Sequence, residues 1–434
     1  MDPFVASGLV LVALLAILAS GIWVAITLVL VGFGIVALLT PAPAGSLLAT
    51  TVWDNSWNWA LTALPLFIWM GEILFRSRLS EDMFRGLAPW LGWLPGRLLH
   101  VNIVGCGVMA AVAGSSSVTC ATIGRISLPE LKSRGYDERM AIGTLAGSGT
   151  LGLLIPPSIM LIVYGIVAQQ SISRLFIAGV LPGLLLIALF MSTVVVWAWL
   201  NPSKTPPRDP DLSLSEKLAR SRRLIPVLLL IGFVLGSIYG GIATPTEAAT
   251  IGVVGALVLA AATGSLNLRV FFDSLLAATR TTSMICFIIA GASFLSVAMG
   301  FTGIPNAIGQ WVEGLGLSNA ALLVVLTLIY VILGCFLEGT SMIVLTSAVV
   351  LPMVAHAGFD PIWFGIYLVV VVEMAQITPP VGFNLFILQG MTGRDIWQVT
   401  LAALPFFLVM IVGIVILAIF PQIATVLPSL MIQR

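Results

Sequence analysis

At 434 residues the chain is 59% hydrophobic and only 9% charged, with a mean hydropathy of +1.12 and a formal net charge of +1. A soluble domain carries about 25% charged residues, so the composition excludes a soluble globular protein, and the charge balance gives no reason to expect a nucleic-acid partner. The sequence has no Walker A loop, no HExxH pair and no Gly-x-Ser-x-Gly elbow, so neither ATP hydrolysis nor those hydrolase classes are signalled.

In chain order, apolar runs at 5–20, 22–40 and 57–75 read as membrane helices, the first two short for the roughly 20 residues a span needs. No basic stretch precedes the first run, so a cleaved signal peptide is not expected. Trp53, Trp57 and Trp59 on one side, and Trp90 and Trp93 on the other, suit interfacial belts. Residues 98–124 are long enough to cross, yet four Lys/Arg lie in 76–97 and four more in 125–139. Positive charge marks the cytoplasmic face, so both ends of this segment belong there. A re-entrant hairpin over 98–130, turning at Gly114-Ser115-Ser116-Ser117, resolves the conflict. Residues 140–168 follow, interrupted from Gly149 to Pro157. Proline lacks the amide donor and clashes with the preceding turn, so two half-helices joined by extended backbone are expected.

Beyond a helix at 176–199, the polar stretch 201–223 carries six Lys/Arg between 204 and 223. It reads as a cytoplasmic linker, with 212–223 as an amphipathic surface helix. Helices are expected at 224–241, 246–263 and 282–300, with Arg269 and Arg280 in a further basic stretch. Thr244-Pro245-Thr246-Glu247 has the form of a capping box with proline at the first helical position. A second hairpin, 321–353, turns at Gly339-Thr340-Ser341 between the Lys/Arg-free loops 303–319 and 354–361, which read as outside. A second broken helix, 362–390, is interrupted from Gln376 to Gly382, and 397–421 is the last span. Gly114 to Pro157 is 43 residues and Gly339 to Pro380 is 41. Matched interruptions with opposite flanking charge predict an all-α polytopic membrane protein built on an inverted repeat. Such paired breaks point to a transporter's substrate and ion site.

A helix stopped at mid-membrane frees carbonyls at one end and amides at the next. Carbonyls and hydroxyls form a hard-oxygen cage suited to sodium, while half-helix amino ends favour an anionic group. The first cage is read as Ser115, Ser116, Gly152, Ile155 and Pro157, the last three through main-chain carbonyls. The second is Gly339, Thr340, Gln376, Thr378 and Pro380. The same Gly and Ser residues also suit close helix packing. Glu338, just ahead of the second turn, costs a few kcal/mol at such depth on insertion scales; cation binding, gating, substrate contact or helix capping all fit it. Glu373 has a similar standing. Arg125 is expected to snorkel to the interface. Cys106, Cys120, Cys286 and Cys335 lack metal-ligand spacing and read as inert core residues, and His100 and His356 lie too far apart in sequence to suggest a metal.

Gly114-Ser115-Ser116-Ser117, Ala121-Thr122-Ile123-Gly124, Gly149-Thr150-Leu151-Gly152, Ile155-Pro156-Pro157-Ser158 and Tyr164-Gly165 resemble the large membrane subunit of tripartite ATP-independent periplasmic (TRAP) transporters, the DctM-like family. Thr244 to Ala249 and Ile377-Thr378-Pro379-Pro380-Val381-Gly382-Phe383-Asn384 are similar to it as well, so the resemblance runs over essentially the whole chain. Ala113 departs locally, where relatives often carry serine. The resemblance implies an elevator mechanism that carries substrate and Na+, the coupling ion, in a transport domain moving against a scaffold. It divides the chain into 1–97 scaffold, 98–175 first transport half, 176–320 scaffold with the linker, 321–393 second transport half, and 394–434 C-terminal helix. It implies two partners, a small four-helix membrane subunit and a periplasmic substrate-binding protein, and a place in the bacterial inner membrane. The implied cargo is a small carboxylate or zwitterion, faced by Ser115, Ser158 and Glu338. A self-sufficient carrier without a binding protein is the main alternative, and a channel is the third.

Overall fold

The computed structural model describes residues 3–431 except 78, 208–211, 223, 305, 306, 308, 309, 311–313, 315, 336, 380 and 381. Among the described residues it consists of helices joined by turns, without a strand. In order these are α1 (Pro3–Ala19), α2 (Val24–Leu39), α3 (Ala44–Ser56), α4 (Ala63–Arg76), α5 (Leu79–Leu91), α6 (Leu98–Ala113), α7 (Ser116–Ser133), α8 (Glu138–Gly149), α9 (Ile159–Val167) and α10 (Ile172–Leu200). Then come α11 (Leu214–Ser221), α12 (Ile225–Tyr239), α13 (Pro245–Ala262), α14 (Leu268–Thr302), α15 (Asn319–Gly334), α16 (Gly339–His356), α17 (Pro361–Ala375), α18 (Phe383–Thr392), α19 (Ile396–Ile419) and α20 (Gln422–Ser429).

A helix break falls near each of the four motifs, but both hairpin turns differ from the reading: only Gly114 and Ser115 lie outside helix at the first, Ser116 and Ser117 opening α7, and Gly339-Thr340-Ser341 form the first turn of α16, the break lying just before them. Gly114 and Ser115 join α6 to α7, and Thr150–Leu153 form a short 3-10 turn before the extended backbone that leads into α9. In the second half Cys335 to Glu338 separate α15 from α16, and Gln376 to Gly382 separate α17 from α18. Six helical stretches among the described residues are long and apolar enough to cross a bilayer: Trp59–Arg76, Ile172–Leu200, Pro245–Ala262, Leu268–Thr302, Gly339–His356 and Ile396–Ile419. Large apolar side chains stand exposed along them, such as Leu184 and Val196 on α10, Phe287 on α14 and Leu408 on α19. Such rows would be costly against water and cost nothing against lipid.

Two packed groups of helices result. In one, α14 lies along α2, and α4 packs on α13 and α14. In the other, α8 sits between α6 and α19, while α10 packs on α6, α9, α17, α19 and α20. The helix expected at 282–300 is longer than its apolar core. It begins at Leu268, where the Asn267 side chain accepts the Val270 amide at 2.8 Å, because Arg269, Asp273 and Arg280 fall within a regular helix rather than a loop. The helices α3, α5 and α20 fall outside the expected spans. Thr, Ser and Asp lace α3, and Pro89 and Pro428 sit inside α5 and α20, so none carries a clean apolar run. The surface helix appears as α11, closed by a Ser213–Glu216 capping box. The Thr244–Glu247 box forms as expected, with the Thr244 amide donating to Glu247 Oε2 at 2.8 Å. The four cysteines are free; three are buried and Cys286 is half-buried.

At the start of α8, Glu138 receives a forked pair from Arg394 at 3.1 and 2.5 Å. The hydrogen bond from Arg394 holds the Glu138 carboxyl below the usual carboxylate range, against a smaller opposing effect of desolvation and with help from Lys132. Both side chains keep much of their exposure, 34% and 48%, so solvent screening leaves the pair a small contribution to stability. A carboxylate whose pKa is lower folded than unfolded stabilises above its unfolded value, about 4.3, and that contribution disappears as pH falls through the folded value. The Arg394→Gln variant should therefore melt slightly below wild type at neutral pH. The gap should close in acid; thermal scans from pH 7 downward read it, and a gap that widens in acid would contradict this account.

Candidate functional site

The first turn is fixed by Gly114, whose φ of +58° is left-handed backbone that glycine adopts without a Cβ penalty. Ser115 follows in extended conformation as the residue before α7, and its carbonyl accepts the Thr119 amide at 3.1 Å. Both residues press on the first break. A Cβ at Gly152 would collide with the Ser115 carbonyl oxygen and stand 2.8 Å from Thr119 Oγ1. A Cβ at Gly114 would stand 2.9 Å from the Pro157 carbonyl oxygen, and the Gly114 carbonyl accepts the Ile159 amide at 3.5 Å. The peptide between Pro156 and Pro157 is cis. Ser115, Gly152 and Pro157 are thus brought together at the turn, and Thr119 joins them. The Ile155 side chain packs against Gly183 on α10, which leaves its main-chain carbonyl, the group expected to act, within the break.

Ser116 reaches across the repeat. Its hydroxyl donates to Asn384 Oδ1 at 2.9 Å, with both residues buried, so the opening of α7 is tied to the opening of α18. Ser158 is fully buried and caps α9: its hydroxyl donates to the Leu153 carbonyl and accepts the Leu161 amide at 3.3 Å.

The second turn repeats the pattern. Glu338 is half-buried and precedes α16, its Oε2 accepting both the Thr340 hydroxyl and the Thr340 amide, the latter at 3.1 Å. The structure therefore places Glu338 as a cap whose partner is another expected ligand. Gly339 is wedged between halves: a Cβ there would stand 2.5 Å from Met160 Cε on α9, 2.8 Å from Val372 Cγ1 and 3.5 Å from Gln376 Nε2. Cys335 Sγ donates to the Pro379 carbonyl at 3.1 Å, seating this turn on the second break. Gln376 is buried and its carbonyl accepts the Asn384 amide at 3.3 Å. Thr378 donates its hydroxyl to the Met374 carbonyl at 2.9 Å. Pro380 lies outside the described residues.

Four helix amino ends gather here. The start of α7 meets α18 through Ser116 and Asn384, the start of α9 meets Gly114, and the start of α16 meets Met160 at the start of α9. Each brings a partial positive charge, although side-chain or backbone oxygens already take one amide each at the starts of α9, α16 and α18. The carboxyl ends of α6, α8, α15 and α17 bring carbonyls to the same two turns. Among the described residues no cluster of three or more His, Cys, Asp or Glu could hold a metal ion; the donors at the two turns are carbonyls, hydroxyls and amides, with the Glu338 carboxylate at the second.

The spacing of the motifs did not single out Thr119 and Asn384. Thr119 lies one helical turn after Ser115, an i, i+4 relation that could have signalled it. Its hydroxyl, like the Asn384 Nδ2, is buried without a hydrogen-bond partner. An asparagine in the first turn of α18, ahead of the apolar run Leu385–Leu388, was the available signal for Asn384.

The family model for the DctM component of the tripartite ATP-independent periplasmic transporter matches residues 11–423. The C4-dicarboxylate TRAP transporter large permease protein DctM of Pseudomonas aeruginosa is 34% identical over 395 residues, 91% of this chain and 92% of that protein. The protein of the same name from Rhodobacter capsulatus is 31% identical, covering 96% of this chain and 98% of its own length. The sialic acid TRAP transporter large permease protein SiaM of Vibrio cholerae is 27% identical over 96% of this chain and 97% of its own. Among solved structures, the Alcanivorax borkumensis YdaH transporter aligns with a TM-score of 0.63 at 14% identity, covering 90% of this chain and 89% of its own. That likeness concerns the fold alone. A family model that matches residues 11–423, relatives above 30% identity and several bilayer-length apolar helices lead to one conclusion: this chain is a multi-pass membrane protein that belongs to the DctM family of large permease subunits of TRAP transporters.

Proposed function

We propose that the chain is the permease of a sodium-coupled importer for a small organic acid or zwitterion, working by an elevator movement. The observation that carries this reading is the gathering of four helix amino ends over two turns rich in carbonyl oxygen. Amino ends of half-helices suit the anionic group of a substrate, and unwound carbonyls suit sodium. The relatives support the substrate class, since their names specify C4-dicarboxylate, sialic acid and 2,3-diketo-L-gulonate. In this reading Ser115, Gly152, Ile155 and Pro157, joined by Thr119, surround one ion, and Gly339, Thr340, Gln376, Thr378 and Pro380 supply the second cage. Ser116 serves by tying α7 to α18, and Ser158 and Glu338 act first as caps that hold the half-helices at the substrate. The two hairpins are re-entrant, entering the inner membrane from opposite faces. A small membrane subunit and a periplasmic binding protein complete the system; an isethionate relative named as the permease protein DctMQ matches this chain over 62% of its length, in keeping with such a small subunit.

Sodium binding is tested on the purified chain in detergent by thermal unfolding in sodium chloride against choline chloride. Ligand that binds only the folded state adds RT ln(1 + [L]/Kd), about 2.7 kcal/mol at a hundredfold excess over Kd. The wild type should be stabilised by sodium specifically, and Ser115→Ala should need several-fold more sodium for the same shift. Equal stabilisation by sodium and choline would remove the ion from the mechanism.

A further inference from the structure

A cavity of about 440 Å3 opens at the basic end of the first hairpin, between α7, the first turn of α8 and the last turn of α18. On α7 its lining residues are Arg125, Leu128, Pro129 and Lys132. Their spacing of i, i+3, i+4 and i+7 places them on one helical face, so two cations flank an apolar patch. Met391 closes the opposite side, where a Cβ on Gly124 would stand 2.9 Å from Met391 Cε. The charges around this cavity differ in their commitments. Arg134 pairs with Glu130 at 2.7 Å, Arg139 donates to the Leu401 carbonyl at 3.1 Å, and Arg394 forks onto Glu138, the acid in the lining. Arg125 and Lys132 are exposed and form no hydrogen bond or ion pair among the described residues. Two uncommitted cations beside an acid already paired favour an anion.

Depth narrows the kind of anion. Counted along α7 from Ser116, at 1.5 Å of rise per residue, Arg125 lies about 14 Å and Lys132 about 24 Å beyond the turn. With the turn at mid-membrane, as the re-entrant reading above has it, that range spans the passage from the edge of the hydrocarbon, about 15 Å from the midplane, to the outer limit of the headgroups at about 20–22 Å. Between the turn and the cavity, α18 leaves Phe383 and Phe386 exposed, which suits acyl chains. A free phosphate or a small carboxylate would match the cations but not the apolar patch between them or the exposed phenylalanines. Positive charge at this end marks the cytoplasmic leaflet, and basic pockets between helices on that side recognise anionic headgroups.

We propose that this cavity seats the headgroup of an anionic phospholipid, with Arg125 and Lys132 on its phosphate and the acyl chains along α18. The depth rests on the re-entrant reading of the first hairpin; the cavity and its uncommitted cations do not. The lipid bridges α7 to α18, so it fastens at their basic ends two helices that Ser116 and Asn384 fasten at the turn.

The full-length chain, delipidated in detergent, is titrated with phosphatidylglycerol, with phosphatidylcholine of the same acyl chains, and with inorganic phosphate. Native mass spectrometry counts the bound lipid and thermal unfolding reads its effect. Phosphatidylglycerol should bind and stabilise in preference to phosphatidylcholine, and inorganic phosphate should not stabilise. The double variant Arg125→Gln with Lys132→Gln should need at least about tenfold more phosphatidylglycerol, in line with the attraction of two cations to an anionic lipid surface. Arg134→Gln with Arg139→Gln removes the same charge outside this cavity and should titrate as wild type. Leu128→Trp fills the cavity while keeping both cations, so it should lose the lipid as well, whereas diffuse surface attraction would leave it unchanged. Equal binding of the two lipids, or a wild-type titration by either Arg125→Gln with Lys132→Gln or Leu128→Trp, overturns the site. Stabilisation by inorganic phosphate equal to that by phosphatidylglycerol overturns the lipid as its occupant. Sodium against choline on the same wild-type samples judges the coupled reading separately, so the failure of one leaves the other standing.

Discussion

Replacing Gly152 by alanine is expected to raise the sodium concentration needed for stabilisation by about 5- to 150-fold. The position needs glycine for space rather than for backbone freedom. A single methyl group would collide with the Ser115 carbonyl and approach Thr119 Oγ1 to 2.8 Å, and a main-chain oxygen in a tight turn cannot swing aside as a flexible side chain can. Overpacking of this kind costs about 1–3 kcal/mol, and the least costly relief is to push the hairpin turn off the break, which opens the cage. Each 1.4 kcal/mol is about tenfold in affinity. Gly236, inside α12 with open space around it, is the matched control: alanine there should stabilise the protein by about 0.5–1 kcal/mol and leave the sodium response alone. A wild-type sodium titration for Gly152→Ala would show that Ser115 and Gly152 do not share an ion.

The second large effect is expected at Asn384. Its Oδ1 accepts the Ser116 hydroxyl at 2.9 Å, while its Nδ2 is buried without a partner. These two halves of one amide make separable predictions. Asn384→Leu strands the Ser116 hydroxyl and should cost about 1–3 kcal/mol of stability. In a double-mutant cycle with Ser116→Ala the two changes should fall short of additivity by about 0.5–3 kcal/mol. Asn384→Asp keeps an acceptor for Ser116 but replaces the free amide donors with a negative charge among four helix amino ends. Stability should stay near wild type, while uptake into proteoliposomes carrying the small subunit and supplied by the binding protein falls by at least about a hundredfold, because like charges facing one another cost several kcal/mol. Normal uptake by Asn384→Asp would separate Asn384 from the anion path and leave it as a strut.

Much of this architecture was legible because its signals are chemical absences and repeats. Lys and Arg fall so unevenly, and Pro-Pro and Gly-Ser runs recur at such similar intervals, that a helix break near each of the four motifs is legible in the sequence alone. Boundaries failed where charge and helix coincide. Arg269, Asp273 and Arg280 hid the first half of α14, since charged residues on an exposed face do not stop a helix whose interior face is Ser274 and Ala278. At the site, residue identity revealed that oxygens would gather but not which hydroxyls would be spent on neighbours. Ser158 and Glu338 turned out to be engaged with adjacent backbone, and Ser116 with a side chain 268 residues away. Thr119 and Asn384 carried only weak local signals, because their importance comes from contacts between distant segments, which periodicity does not encode.

The distribution of the four thiols has a practical consequence for watching this protein move. Cys106, Cys120 and Cys335 are enclosed in the packed interior and only Cys286 is half-open, on α14. Water-soluble alkylating reagents should therefore find an almost silent background in the native chain. Replacing Cys286 by serine would make that background darker still without touching either turn. A single cysteine introduced on the exposed faces of α7 or α16 would then report its own exposure to each side of the membrane, free of interference from the native residues.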